Sequence, residues 1–177
     1  MKSGEGNLRV TAQSGFHQPR TYGDAFYRAI LGSHSIPFQV TSAGSYNVTV
    51  HWDLNYSVNL RALSGGPGIT LLANAQESVD FLLTELTKPK TFLGATGETP
   101  FFAQISNGTL SAARNDSLNL TVAASLLPGH SYGIWTEIEV GLSTEGYSTT
   151  GHNGYVRSSV DMNSGSNGAT LTFVTVS

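Results

Sequence analysis

The chain has 177 residues, 39% of them hydrophobic and 12% charged, with no cysteine and a formal net charge of −3. That length suits one domain, spanning 1–177, with a sizeable core, and the composition excludes a disordered chain or a membrane bundle. Nine Lys and Arg, scattered singly, form no basic stripe for nucleic acid or an anionic membrane, and the missing thiols remove disulfides, thiolate nucleophiles and Cys-ligated metals.

An average soluble domain carries about 25% charged residues. This surface is therefore built from Ser, Thr, Asn and Gly, a composition common on secreted β-proteins. The start, MKSGEGN, has no apolar stretch, and no later run approaches the ~18 apolar residues of a membrane span. The chain is then either cytosolic or the mature segment of an exported protein with an added Met, and its surface composition favours the second.

In chain order, residues 7–13 alternate Leu8, Val10 and Ala12, the mark of a half-buried strand. Residues 14–20 form a loop, and 22–31 suit a strand or a short helix. Ile36, Phe38 and Val40 make another strand, with Pro37 arguing for an edge position or a strand start. After a turn at 42–45, Tyr46, Val48, Val50 and Trp52 fall on one face, the clearest hairpin signal in the first half. A strand continues over 56–63 and breaks at the 65–68 Gly-Gly-Pro-Gly run.

Residues 69–73 suit a short strand. The period then changes: Val79, Leu82, Leu83 and Leu86 stand at helical spacing, and Asn74 with Glu77 resembles a capping box. A helix over 75–87 is expected, although Val79, Phe81 and Leu83 also alternate. Residues 87–100, with Pro89, Gly94, Gly97 and Pro100, read as a long loop or an irregular edge. Asn107-Gly108 between two apolar runs is a hairpin signal, and 114–116 reads as a turn.

The organising stretch is 116–142. Alternating Leu118, Leu120, Val122 and Ala124 lead to a Leu127-Pro128-Gly129 corner, and Tyr132 opens a second alternating run. A Tyr just past such a corner buries its ring and returns its hydroxyl to nearby backbone, as in Greek-key sandwiches. A loop over 143–154, strands over 155–162 and 169–176, and a turn between them complete the chain. Short strands with turns every ~8–12 residues indicate an all-β antiparallel sandwich, jelly-roll or immunoglobulin-like.

The phrase LLPGHSYGIWTEIEV, a small-residue loop and VRSSVDMNSGSNGATLTFVTV resemble the closing third of bacterial secreted β-sandwich proteins of the PEP-CTERM, exosortase-sorted type. The Pro-Glu-Pro sorting motif is not in this sequence. The resemblance implies export and residence at a cell surface or in its matrix, and implies no catalytic residues.

Candidate chemistry is sparse. His17, His34, His51, His130 and His152 show no metal-binding spacing and read as loop histidines, His51 apart. Glu137 and Glu139 share a strand face with Trp135, an arrangement a glycosidase would use, but the opposite face is the apolar one, so the acids read as solvated. Asp161, Asn163 and Asn167 alternate like a calcium loop without its bidentate Glu. Trp52, Tyr56, Tyr147 and Tyr155 are candidates for a sugar platform, with Trp52 better placed in the core beside Val48 and Val50. Sequons at Asn47, Asn55, Asn107, Asn115 and Asn119 matter only in a glycosylating secretory route. There is no nucleophile elbow, phosphate loop or dinucleotide fingerprint.

The leading reading is a non-catalytic extracellular or cell-surface sandwich with a structural or adhesive role, its partner a glycan or another surface protein. The alternative is a carbohydrate-binding module. Third comes a sandwich-fold glycan hydrolase, which needs two converging acids.

Overall fold

A computed structural model describes residues 4–6, 9–16, 22–32, 36–87, 89–150, 152–162 and 168–177, with side chains from Ile36 onward except that of Phe173. Every regular element among them is a strand: β1 (Gly4–Gly6), β2 (Arg9–Phe16), β3 (Tyr22–Gly32), β4 (Ile36–Phe38), β5 (Gly44–Ser64), β6 (Ile69–Glu85), β7 (Thr91–Ile105), β8 (Gly108–Leu126), β9 (Tyr132–Ser148), β10 (Gly154–Asp161) and β11 (Gly168–Val176).

The strands form two antiparallel sheets. In the first, β8 runs along one edge of β5, while β10 and β11 lie end to end along the other, beside residues 57–64 and 48–55. Outside them β2 and β1 repeat the same end-to-end arrangement. In the second, β9 is flanked by β6 on one side and by β3 and β4, end to end, on the other, and β7 closes the edge beyond β6. Each sheet is thus four ribbons wide. The first ribbon pairs with the eighth, the second with the seventh, the third with the sixth and the fourth with the fifth. That nesting is a jelly roll, which decides between the two sandwich topologies the alternation left open.

Of the connections between successive ribbons, only the one from β6 to β7 joins neighbours in one sheet. The other turns cross between sheets. Asn107-Gly108, expected to close a hairpin, carries the chain from β7 in one sheet to β8 in the other, with Gly108 at φ 90°. The 42–45 turn likewise crosses from β4 to β5. A turn signal marks where a chain reverses, but not which edge it then joins.

The expected helix over 75–87 is strand. Leu71, Ala73, Ala75, Glu77, Val79, Phe81 and Leu83 are all buried on one face, and β7 and β9 bond both edges of β6. Two full ladders and a continuous alternating face outweigh a helical spacing that four apolar residues happen to share. Asn74 caps nothing; its side-chain carbonyl accepts from the Ser143 amide at 3.1 Å. The expected turn at 114–116 is likewise absorbed into β8, and β9 runs on through the expected loop as far as Ser148. Residues 91–100 are the irregular edge of the two alternatives, with register shifts opposite Glu77/Val79 and Leu83/Thr84.

Buried side chains from both sheets form one contiguous cluster. Trp52 contributes more than area: its indole N–H donates across the sandwich to the Thr136 hydroxyl at 2.8 Å, and that hydroxyl donates to the Asp80 carbonyl at 2.8 Å. At the β8–β9 corner, Gly129 adopts φ 80°. Tyr132 is buried on the same face as Ile134 and Ile138. Its hydroxyl accepts from the Leu127 amide at 2.7 Å and lies 3.2 Å from the Leu127 carbonyl, to which it donates. The expected tyrosine corner is present. Tyr132→Phe should therefore cost about 1–3 kcal/mol by stranding that backbone, and Tyr132→Ala about 3–5 kcal/mol, measured by denaturant unfolding.

Candidate functional site

The outer face of the second sheet carries a depression of 530 Å³. Two rows of side chains build it, each running across three strands. Ala95, Leu82 and Trp135 make one row, and Gly97, Asp80 and Glu137 the next. Strand alternation puts all six outside, because their neighbours Phe81, Thr136 and Ile138 are buried. Ala95 and Gly97 are small, so the edge strand leaves space beside the 42%-exposed indole of Trp135. A Cβ at Gly97 would collide with the Asp80 carboxylate. Asp80 and Glu137 are directly paired across β6 and β9, which sets their Cβ atoms about 4.5–5.5 Å apart.

Glu137 lies in the depression, but its partner acid is Asp80, which no local spacing in the sequence pairs with it. Glu139 lies further along the same face, opposite Ser78 and Ile30. The four aromatic residues proposed as one platform are dispersed. Trp52 and Tyr56 are core residues, 3% and 1% exposed, because both belong to the inward-facing row of β5. Tyr147, 41% exposed, is on the outer face of the second sheet, twelve residues from Trp135 along β9. Tyr155 is on the outer face of the first sheet. An alternating strand sends these side chains to opposite faces, so they make no common surface.

The first sheet's outer face is a polar ladder. His51 Nδ1 lies 2.7 Å from Asn119 Oδ1, and its Nε2 lies 3.2 Å from both Asp53 Oδ1 and Ser117 Oγ. Asp53 also accepts from the hydroxyls of Thr172 at 2.6 Å and Ser117 at 2.9 Å. Those donated hydrogen bonds, Thr172 first, hold its carboxyl below the usual range. His51 is thus one rung of a ladder, while His130 contacts Glu85 at the corner and His152 is exposed after β9. His17 and His34 lie outside the described residues. So do Asn163 and Asn167 of the expected calcium loop, whose Asp161 ends β10. Among the described residues no three acidic or His side chains converge as metal ligands, and no helix is long and apolar enough to cross a membrane.

One acid is missing from any sequence-based expectation. Glu77, read as a capping residue, is 1% exposed between the sheets, and its oxygens have no hydrogen-bond partner among the described residues. The nearby Tyr56 hydroxyl donates a hydrogen bond to Asp116 at 2.8 Å, and Arg114 lies against both Asp116, at 3.6 Å, and the Phe101 ring. Burial pushes the Glu77 carboxyl up to about 7, the Asp116 charge adding to the rise and Arg114 opposing it. Burial and the same two carboxylates also raise the Tyr56 phenol.

A folded-state pKa raised above the ordinary 4.5 means that folding takes up a proton. The stability this protonated form contributes is complete below about pH 4.5 and is lost as pH rises through about 7. Glu77→Gln supplies a neutral isostere at all pH. It should match the parent near pH 4.5 and exceed it by about 2–3 kcal/mol at pH 8, read from urea unfolding at both pH values.

No protein-family model matches the chain, and no curated protein matches it. Among solved structures it is similar to one of the infectious bursal disease virus Gt strain, at 10% sequence identity and a TM-score of 0.17. The match covers 96% of this chain and 43% of that one, so the chain spans less than half the length of its counterpart. A likeness at that score carries no argument. What the strand pairing and the depression define is a class: a jelly-roll sandwich with an aromatic, acidic hollow on one sheet face.

Proposed function

We propose that this chain is a non-catalytic, carbohydrate-binding jelly roll that acts adhesively outside the cell, with a sugar seated on Trp135. The observation that carries this reading is the half-exposed indole beside two carboxylates, in a hollow left open by the small residues of the edge strand. An indole face packs against the C–H face of a pyranose, and carboxylates accept from its hydroxyls with charge-assisted hydrogen bonds. The low charge and the Ser/Thr/Asn surface support an extracellular setting, as does the resemblance of the closing third to exported sandwiches.

A second reading rests on the Asp80–Glu137 pairing. A retaining glycosidase holds its two carboxyl groups about 5–5.5 Å apart, and directly paired strand residues approach that spacing.

One set of measurements separates the two. A panel of soluble neutral polysaccharides, screened by affinity electrophoresis, should include at least one that retards the parent protein. Trp135→Ala should weaken that retardation at least ten-fold. Asp80→Asn and Glu137→Gln should change unfolding stability by no more than about 0.5 kcal/mol, as exposed substitutions usually do. Retardation that is indifferent to Trp135→Ala would remove the proposal. Release of reducing ends by the parent, abolished in either acid variant, would put the hydrolase in its place.

A further inference from the structure

The outer face of the first sheet holds a second hollow, of 320 Å³, between β5 and β10. Its unusual feature is a pair of like charges. Arg61 and Arg157 stand directly opposite each other in the β5–β10 register, both exposed. Like charges in that relation repel and destabilise a sheet. The chain has only nine basic residues and a net charge of −3, so acids to neutralise the pair are not scarce. Yet among the described residues no carboxylate lies within ion-pair distance of either guanidinium.

Arg61 is also positioned. Arg61 stacks over the Tyr155 ring, its guanidinium carbon 5.7 Å from the centroid. Around the pair the hollow is lined by neutral hydrogen-bonding groups, the amide of Asn59 and the hydroxyls of Thr109 and Ser159. Asp161 closes the other end, four residues along β10 from Arg157 and so about 13 Å away. A planar oxyanion between two guanidinium forks would take two-point hydrogen bonds from each and relieve the repulsion. Two cations without a wider basic field do not suffice for a nucleic acid backbone.

From this geometry we propose that the Arg61–Arg157 hollow binds the carboxylate of an acidic sugar, with Asn59, Thr109 and Ser159 bonding the ring hydroxyls. The site lies on the opposite face of the sandwich from Trp135 and does not depend on that reading.

The test titrates the full chain calorimetrically at low salt with trigalacturonate, with its methyl ester and with inorganic sulfate. Trigalacturonate should bind saturably and the ester should not. Arg61→Gln and Arg157→Gln should each weaken binding at least ten-fold, and Arg157→Lys by less. Without ligand, Arg157→Gln should melt no lower than the parent, because it removes a like-charge contact. Equal binding of the ester, binding indifferent to both arginine variants, or no saturable binding would each overturn the proposal. Binding of sulfate alone would overturn the sugar assignment, and a lowered melting temperature for Arg157→Gln would show that the arginine is structural.

Discussion

The structure depends on the unbroken alternation of β5. Its inner side chains from Val48 to Ala62 are all buried, and both of its edges are occupied, by β8 on one side and by β10 and β11 on the other. A slip of one residue would turn Val48, Val50, Trp52, Leu54, Tyr56, Val58, Leu60 and Ala62 outward together. That penalty pins the register of the three strands bonded to β5. Trp52 adds direction to an otherwise non-directional core, since its N–H reaches Thr136 of the facing sheet and, through it, the Asp80 carbonyl. The same relay holds the backbone beneath the Trp135 hollow.

Alternation also separates chemistry by face. The first sheet turns His51, Asp53, Asn59, Arg61 and Arg157 outward, and the second turns out Asp80, Trp135 and Glu137. Neither set perturbs the core. Glu77 breaks the pattern by sitting in an inward position of β6, next to a register shift where β7 pairs irregularly. A buried carboxyl with no hydrogen-bond partner among the described residues is costly when charged, and the protein answers by holding its proton to a higher pH.

The open side of the sandwich, where β7 faces β8, is kept close by a small residue. A Cβ at Gly94 would lie 2.7 Å from Val122 Cγ1. A side chain there would force Val122 or one of the edges to shift. The irregular, Gly- and Pro-bearing sequence of β7 follows from this close approach and from its place at a sheet edge.

Local sequence determined the strand character of most of the chain, the burial of alternate residues in β5 and β9, and the Tyr132 corner. Each rests on contacts within a few residues or on a period of two that needs no partner to be seen. The helix expected over 75–87 shows the limit, because only the ladders from β7 and β9 decide that β6 is a strand. The hairpin expected at Asn107-Gly108 shows another, because a turn cannot say which sheet receives the chain. Trp135 and Glu137 share a strand face legible in the sequence, but the completion of both candidate sites belongs to tertiary structure. Asp80 meets Glu137, and Arg61 meets Arg157, only when strands distant in sequence pair in one register, so the isolated acids and arginines carry no mark of it. Pairing is set by burying the opposite faces of those strands, and the residues that form the sites are positioned by the core behind them.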